Sequence, residues 1–419
     1  MSINEPLDDY HWLVSQAAKP WLALAADGGS LTQLTARLRK ELSPNQVHLV
    51  LQQIELRHRA RQRLALASSM FFTSVGLEQA TDTVVARYKA GRFSAGQLVA
   101  DLCCGIGGDL LELARRGPVT GVDRDPASAV LAAANLSQYS DRTGSHVLTS
   151  SVEELDLSNF AAWHIDPDRR PQGRRTTHID LHEPGPAVLA KLLQQCPHAA
   201  IKLAPAAGFD GEIAESSSSV PWHEAELQWI SRGGQCRQLV AWFGNLAQHP
   251  GQRVATRLEL TVPDIATAGE PGNEIIVTSF AGTPMQDPLS TAPLQTFLHE
   301  PDPALLASHL AEAHAVELGI APLAPDVAYY TGDTALDHRL WSSFAILETM
   351  PYKPKLLKPW LRERGIGRLE VKKRGVDLEP EKVRRELTVS GDQSATLLLC
   401  RVEGRITAII GQRVAVNKS

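Results

Sequence analysis

Cysteine is scarce in this chain: five residues among 419 (Cys103, Cys104, Cys196, Cys236 and Cys400), an odd count with no C-x-x-C pair. Neither a disulfide framework nor a zinc site is expected, and no metal is assigned to any group of residues. Long hydrophobic runs are missing as well. The longest one near the start, from Leu64 to Phe72, is broken by Ser68 and Ser69 and falls short of the ~20 residues that span a bilayer. No membrane partner is expected. The opening MSINEPLDDYHW is acidic and polar and lacks the basic-then-apolar order of a secretory leader, so a cytoplasmic location is the expectation.

What is present is ordinary globular material. The chain is 43% hydrophobic and 21% charged, with 30 Gly and 26 Pro spread along it, a balance that folds and buries cores. Its length suits two to three domains. The formal charge of −5 hides a segregation: residues 353–419 hold 16 Lys+Arg against 8 Asp+Glu, so the remainder is strongly acidic. A basic module attached to an acidic one suits a polyanionic partner, although a solvated basic face has the same composition.

Residues 1–92 read as helical. Ser43-Pro44 is an N-cap followed by proline in the first helical position, and Val47, Val50, Leu51, Ile54 and Leu64 recur at helical spacing, which predicts a helix to about Met70 with a basic stripe from Arg57 to Arg63. Another helix is expected after Gly76, ending at Gly91. From 93 to 300 strands alternate with helices, the pattern of a parallel sheet covered on its faces. Strands are read at Leu98–Leu102, Val119–Asp123, His146–Thr149, Ala162–Asp166 and Ala199–Leu203. A strand pair flanks Arg232-Gly233-Gly234, and Arg253–Leu260 and Ile275–Phe280 extend the sheet. Residues 262–303, rich in Pro, Gly, Asp and Thr, read as loop and linker. Residues 301–419 then read as a small separate α/β domain.

The most informative stretch is VADLCCGIGGDLL, residues 99–111. An apolar strand ends in an acidic residue and a glycine-rich turn, and a helix starts at once, so the backbone can approach a ligand closely. The next strand ends at Asp123, where a carboxylate can accept both hydroxyls of a ribose. A dinucleotide would need a third glycine where Leu110 stands, which weakens that reading. Asp101, four places before Gly105, instead suits a ligand with an amino-acid end, whose ammonium a carboxylate can hold. That ligand is S-adenosylmethionine.

A second signal is WHIDPDRR, residues 163–170. Ligands of open α/β sheets bind beyond the carboxyl ends of the strands, so Asp166 would face a substrate beside the cofactor. The Asp166-Pro167 step forces an extended or turning backbone that presents the Asp carbonyl outward, where an exocyclic amine could donate to it. Arg169 and Arg170 could clamp phosphate or stack on a base, or instead pair with Asp166 or Asp168. Lys202, ending the fifth strand, is a substrate contact or an ordinary strand-end cation. Trp163, Trp229, Trp242 and Phe243 read as core, with a stacking face for a base as the alternative, and His164 reads as a packed neighbour rather than a general base.

FTSVGLEQAT (72–81), VADLCCGIGGDLLELA, GVDRDP, DPDRR, IKLAP, YYTGD and LEVKKRGVDLEP together resemble the bacterial class I methyltransferases that carry a C-terminal THUMP-like domain. Their core is similar to trimethylguanosine synthase, which methylates an exocyclic amine in RNA caps. The resemblance implies an α/β fold: a Rossmann-like methyltransferase sheet with an N-terminal helical extension and a small C-terminal α/β domain. It implies that Asp101, Gly105 and Gly107, with Cys103 in the same turn, hold the methionine end of S-adenosylmethionine, and that Asp123 holds the ribose. Ser151 follows Ser150 where such enzymes place an acidic residue against adenine, and is taken as a further cofactor contact. Asp166-Pro167-Asp168-Arg169 stands where amine methyltransferases carry Asp-Pro-Pro-aromatic.

The activity expected is methyl transfer from S-adenosylmethionine to RNA, at a base nitrogen. Asp166 and Pro167 are the expected catalytic residues. Asp168, Arg169, Arg170 and Lys202, and in the basic domain Lys372, Lys373 and Arg374, are the expected substrate contacts. A small-molecule or protein acceptor, and a non-catalytic cofactor-binding protein associated with RNA, are the rival readings.

Overall fold

The computed structural model describes residues 7–26, 30–138, 144–169, 176–207, 219–387 and 390–415. The chain divides into two compact units, one comprising Met1–Leu227, Gln238–Gly251 and Leu258–Ile276, the other Gln228–Arg237, Gln252–Arg257 and Val277–Ser419.

The first unit opens with helices α1 (Leu7–Val14), α2 (Lys19–Ala26), α3 (Leu31–Glu41) and α4 (Pro44–Ala60). Helix α4 starts with a capping box, Ser43 and Gln46 each bonding the other's backbone N–H, and buries Val47, Val50 and Leu56. It ends ten residues before the expected Met70. The Arg63 guanidinium donates to the carbonyls of Leu77 and Ala80, and the Arg63 carbonyl accepts from the Thr83 N–H, so tertiary bonds replace the next helical turns. Arg57 likewise donates to the Met70 carbonyl, so part of the basic stripe is committed inside the fold. In place of one helix after Gly76 there are two, α5 (Ser74–Gln79), capped by Thr73, and α6 (Thr83–Ala90), capped by Asp82. The cap residues accept the first free N–H groups and break what periodicity alone reads as continuous.

Strands β1 (Val99–Leu102), β2 (Val119–Asp123), β3 (His146–Thr149), β4 (Ala162–Ile165) and β5 (Ala199–Leu203) pair in parallel in the order β3-β2-β1-β4-β5. The crossovers carry α7 (Leu110–Ala114), α8 (Pro126–Leu136) and α9 (Pro186–Gln195). The hairpin of β6 (Glu226–Arg232) and β7 (Gln235–Phe243) turns at Gly233-Gly234, and β7 lies antiparallel on β5, Ala199 opposite Phe243 and Leu203 opposite Leu239. Trp163, Trp229, Trp242 and Phe243 are all buried. The strand order reverses between β1 and β4, and their carboxyl ends form the crevice where such sheets bind ligands.

Like the β6–β7 hairpin, whose Gln228–Arg237 falls in the second unit, strands β8 (Arg253–Leu260) and β9 (Ile275–Gly282) divide between the two units. The second unit continues with β10 (Phe297–Pro301), α10 (Pro303–Ala307), α11 (Ala311–Leu318), β11 (Ala321–Ala324), β12 (Val327–Gly332), β13 (Trp341–Pro351), α12 (Pro354–Glu363), β14 (Ile366–Lys373), α13 (Pro380–Leu387), β15 (Gln393–Val402) and β16 (Arg405–Arg413). Its sheet runs β11-β12-β10-β13-β16-β15-β14. Leu357, Trp360 and Leu361 of α12 and Val383 and Leu387 of α13 pack with Leu397, Leu399 and Ile410 from the sheet. Strand β10 corrects the reading of the end of 262–303 as linker: a five-residue strand flanked by turn residues has too little pattern to stand out, yet it pairs with both β12 and β13. Among the described residues, no helix is long and apolar enough to cross a membrane.

Candidate active site

A cavity of about 520 Å³ opens at the carboxyl ends of β1, β2, β4 and β5, within the first unit. Most residues picked out in the sequence meet there: Asp101, Cys103, Gly105, Asp123, Ser151, Asp166, Pro167, Asp168, Arg169 and Lys202 all line it. Gly107 does not. Its φ of +94° and its N–H, 2.9 Å from the Cys104 carbonyl, close the turn beneath. Arg170 lies outside the described residues.

The turn after β1 is built for close approach. Gly105 has φ +55° with open space where a side chain would start, while a Cβ on Gly108 would lie 2.8 Å from the Thr81 backbone nitrogen. The chain between α5 and α6 therefore rests directly on the glycine turn. Asp123 Oδ2 accepts the Gly105 N–H at 2.8 Å and Oδ1 the Asp125 N–H at 2.9 Å, which fixes the carboxylate and leaves lone pairs for further donors. Burial pushes its carboxyl above the ordinary aspartate value. Burial also raises the Cys103 thiol, so it stays a neutral wall atom. The Ser151 hydroxyl caps the short turn Val152–Glu154.

A buried polar chain runs through the cavity wall, where Thr81, Asp109 and His164 join Asp101, Asp166 and Lys202. Asp101 Oδ1 meets His164 Nδ1 at 2.7 Å, His164 Nε2 meets Lys89 Nζ at 3.1 Å, and Lys89 Nζ meets Asp109 Oδ1 at 2.7 Å. Thr81 Oγ1 donates to Asp109 Oδ2 at 2.6 Å and receives Gln238 Nε2 at 3.0 Å and Lys202 Nζ at 3.3 Å. Lys202 Nζ then lies 2.5 Å from Asp166 Oδ2. Burial raises the Asp101 carboxyl, opposed by His164. Burial lowers the Lys89 ammonium. For Asp109 burial acts upward, but Lys89, His164 and Lys202 outweigh it and hold the carboxyl well below its usual range. Asp101 Oδ2, buried in the cavity wall, has no hydrogen-bond partner.

The loop after β4 is stapled in place. Asp168 and Glu183 exchange two backbone hydrogen bonds of 2.8 and 3.0 Å, and the Glu183 carboxylate takes the Arg124 guanidinium on both of its oxygens.

Sequence reasoning passed over the outer wall. Thr73, Val75, Gly76, Glu78, Gln79, Ala80 and Thr81 come from the helical extension. It also passed over Lys89 and Asp109, and read His164 as mere packing. A signal for Lys89 existed: it lies on the face of α6 that also buries Val85 and Ala86, and a lysine buried on an apolar face demands a partner.

Lys372, Lys373 and Arg374 are placed in the second unit, on β14 and just after it. Each has a carboxylate: Lys372 and Arg374 share Glu300 at 2.7 and 3.3 Å, and Lys373 meets Glu379 at 3.4 Å. On α12 of the same unit, Lys355 and Arg362 are exposed.

Comparison with known proteins adds the relationships of this architecture. A family described as THUMP domain-like matches residues 342–413. S-adenosylmethionine-dependent methyltransferases named as uncharacterized, from two strains of Mycobacterium tuberculosis, are 29% identical over 341 residues, covering 80% of this chain and 86% of theirs. A crystal structure named as a candidate methyltransferase from Porphyromonas gingivalis W83 superposes with a TM-score of 0.72 at 20% identity, covering 94% of this chain and 97% of that one. The fold is thus a class I methyltransferase fold. The chain is related in sequence to S-adenosylmethionine-dependent methyltransferases and carries a THUMP-like domain toward its C-terminal end.

Proposed function

We propose that this chain is an S-adenosylmethionine-dependent methyltransferase whose acceptor is a nitrogen of an RNA base. The observation that carries the cofactor is Asp101 Oδ2, a buried acceptor without a partner in the wall of a cavity large enough for a nucleoside. Leaving such an atom unmet costs about 1–3 kcal/mol, which an incoming ammonium recovers. S-adenosylmethionine supplies a methyl group already activated on a sulfonium. Asp101 would take its ammonium, Asp123 the ribose hydroxyls, and Ser151 the adenine side. Asp166 and Pro167 stand at the other end of the same row of strand ends and would orient the attacking nitrogen. Alignment in a water-poor site supplies much of the acceleration for such a displacement.

RNA as acceptor is supported by the cations of the second unit. Lys372, Lys373 and Arg374 would have to exchange their carboxylates for phosphate, whereas exposed Lys355 and Arg362 need no exchange with any carboxylate among the described residues.

The test is transfer of labelled methyl from S-adenosylmethionine into total RNA from cells lacking this protein, with DNA, protein and small-molecule fractions in parallel. Label in RNA is expected, and Asp166→Ala should lower it by about 10²–10⁴-fold while calorimetric affinity for S-adenosylhomocysteine holds. Label in another fraction alone would replace RNA as the acceptor, and cofactor binding without label anywhere would favour a non-catalytic protein.

A further inference from the structure

We propose that the acceptor is a lactam nitrogen, an N–H beside a C=O as at N1 of guanine or N3 of uracil, and that Asp166 and Lys202 engage its two groups together. This rests on the RNA-base reading above and narrows it. Lys202 Nζ lies 2.5 Å from Asp166 Oδ2, and both side chains line the cavity. Lys202 is only 6% exposed, and its contact with Thr81 Oγ1 ties it to the opposite wall. An ammonium has three donors, and these two bonds leave one; Asp166, bound through Oδ2, keeps Oδ1 as an acceptor. The pair offers an acceptor and a donor side by side at the end of the cavity away from Asp123.

Such a pair complements a base edge that sets a donor next to an acceptor. The lactam edges of guanine and uracil have that pattern, and so do the amidine edges of adenine and cytosine. Charge separates the two. An exocyclic amine becomes more positive as it attacks a methyl group, and an adjacent ammonium opposes this. A lactam nitrogen becomes nucleophilic by losing its proton, and the negative charge spreads onto the neighbouring oxygen, where an ammonium stabilises it. In the step, the Asp166 carboxylate accepts the N–H proton and the nitrogen forms its bond to the methyl carbon. The bond from sulfur to that carbon breaks with its electron pair remaining on sulfur, and the products are the N-methyl base and S-adenosylhomocysteine. Asp166 then returns its proton to solvent.

The experiment digests RNA methylated by the full-length protein and identifies the methylated nucleoside by mass spectrometry against standards. 1-Methylguanosine or 3-methyluridine is expected. Methyl on an exocyclic amine of adenosine, guanosine or cytidine, on carbon, or on a ribose oxygen overturns the proposal while the RNA reading stands. Label confined to protein or small molecules removes the RNA reading and this proposal together. As the second arm, Lys202→Met should lower kcat by about 10²–10³-fold, with S-adenosylhomocysteine affinity within about 2-fold, and Lys202→Arg should restore part of the rate. Unchanged kcat in Lys202→Met overturns the part given to Lys202.

Discussion

His164 holds Asp101 by one oxygen only: Nδ1 lies 2.7 Å from Oδ1, and Oδ2 of this cavity-lining residue is buried without a hydrogen-bond partner. Both side chains are almost wholly buried, so the imidazole fixes which edge of the carboxylate a ligand meets. If that edge receives an ammonium, Asp101→Asn should weaken S-adenosylhomocysteine by about 10–100-fold, worth about 1.4–2.7 kcal/mol. 5′-Methylthioadenosine, which lacks the ammonium, should bind the variant as it binds the parent, and His164→Asn should fall between parent and Asp101→Asn. Calorimetry with the two ligands reads this directly. Equal losses for both would mean that Asp101 only shapes the turn.

The same carboxyl makes binding depend on pH. Burial raises Asp101 above the ordinary aspartate value, and only the ionised form attracts an ammonium. Affinity is therefore full above the raised value and declines as pH falls through it, by up to about tenfold per unit. Binding in that window releases a proton, visible in calorimetry as a heat that varies with buffer. Asp101→Asn should flatten the profile, and 5′-methylthioadenosine should not show it. The charges of Lys89 and Asp109 act on Asp101 and are expected to broaden the transition.

Lys89→Met removes the ammonium that meets Asp109, whose side chain is only 9% exposed. Breaking a buried pair from one side costs about 3–5 kcal/mol, so a clear drop in melting temperature is expected. The pH response gives the sign. Asp109 is depressed in the folded chain, so it adds stability above the unfolded aspartate value and loses it as pH falls toward the depressed one. The variant should therefore lose less stability on acidification than the parent. Parallel acid curves would refute the pairing.

Two glycines of one turn should respond differently. Gly108→Ala drives a Cβ to 2.8 Å from the Thr81 nitrogen and must displace backbone, an overpacking cost of about 1–3 kcal/mol with weakened cofactor binding. Gly105→Ala meets no neighbour but must hold φ +55°, a strain of about 1–2 kcal/mol. Thermal unfolding and calorimetry on the pair tell contact from strain: only Gly108→Ala should shift the Thr81 side of the cavity.

Much of this was legible in the order of residues. β2 and β5 stand where their short apolar runs put them, because a buried parallel strand reads as such a run between turn residues, and β3, mostly exposed, stands where the residues after Gly144 place it. The strand-end carboxylates Asp101, Asp123 and Asp166 followed from the same geometry. The break between α5 and α6 was hidden, since Asp82 reads as one more polar position until its cap bonds are seen. The partners of Lys89 were hidden, although its burial on α6 was not, because they come from β1, the glycine turn and β4. The pairing of Lys372 and Arg374 with Glu300 depends on β10, a strand whose pattern is too short to read.

Thr81 has a single hydroxyl whose one hydrogen and two lone pairs are all engaged, and it precedes the first strand by an entire helix. The parallel sheet and the cavity at its strand ends are consequently not the same stretch of chain. A fragment cut just ahead of Val99 would retain every carboxylate of the row and lose the partition that closes it. Grafting the sheet onto another protein would transfer an open trough. The smallest transplantable unit starts at Thr73, or earlier.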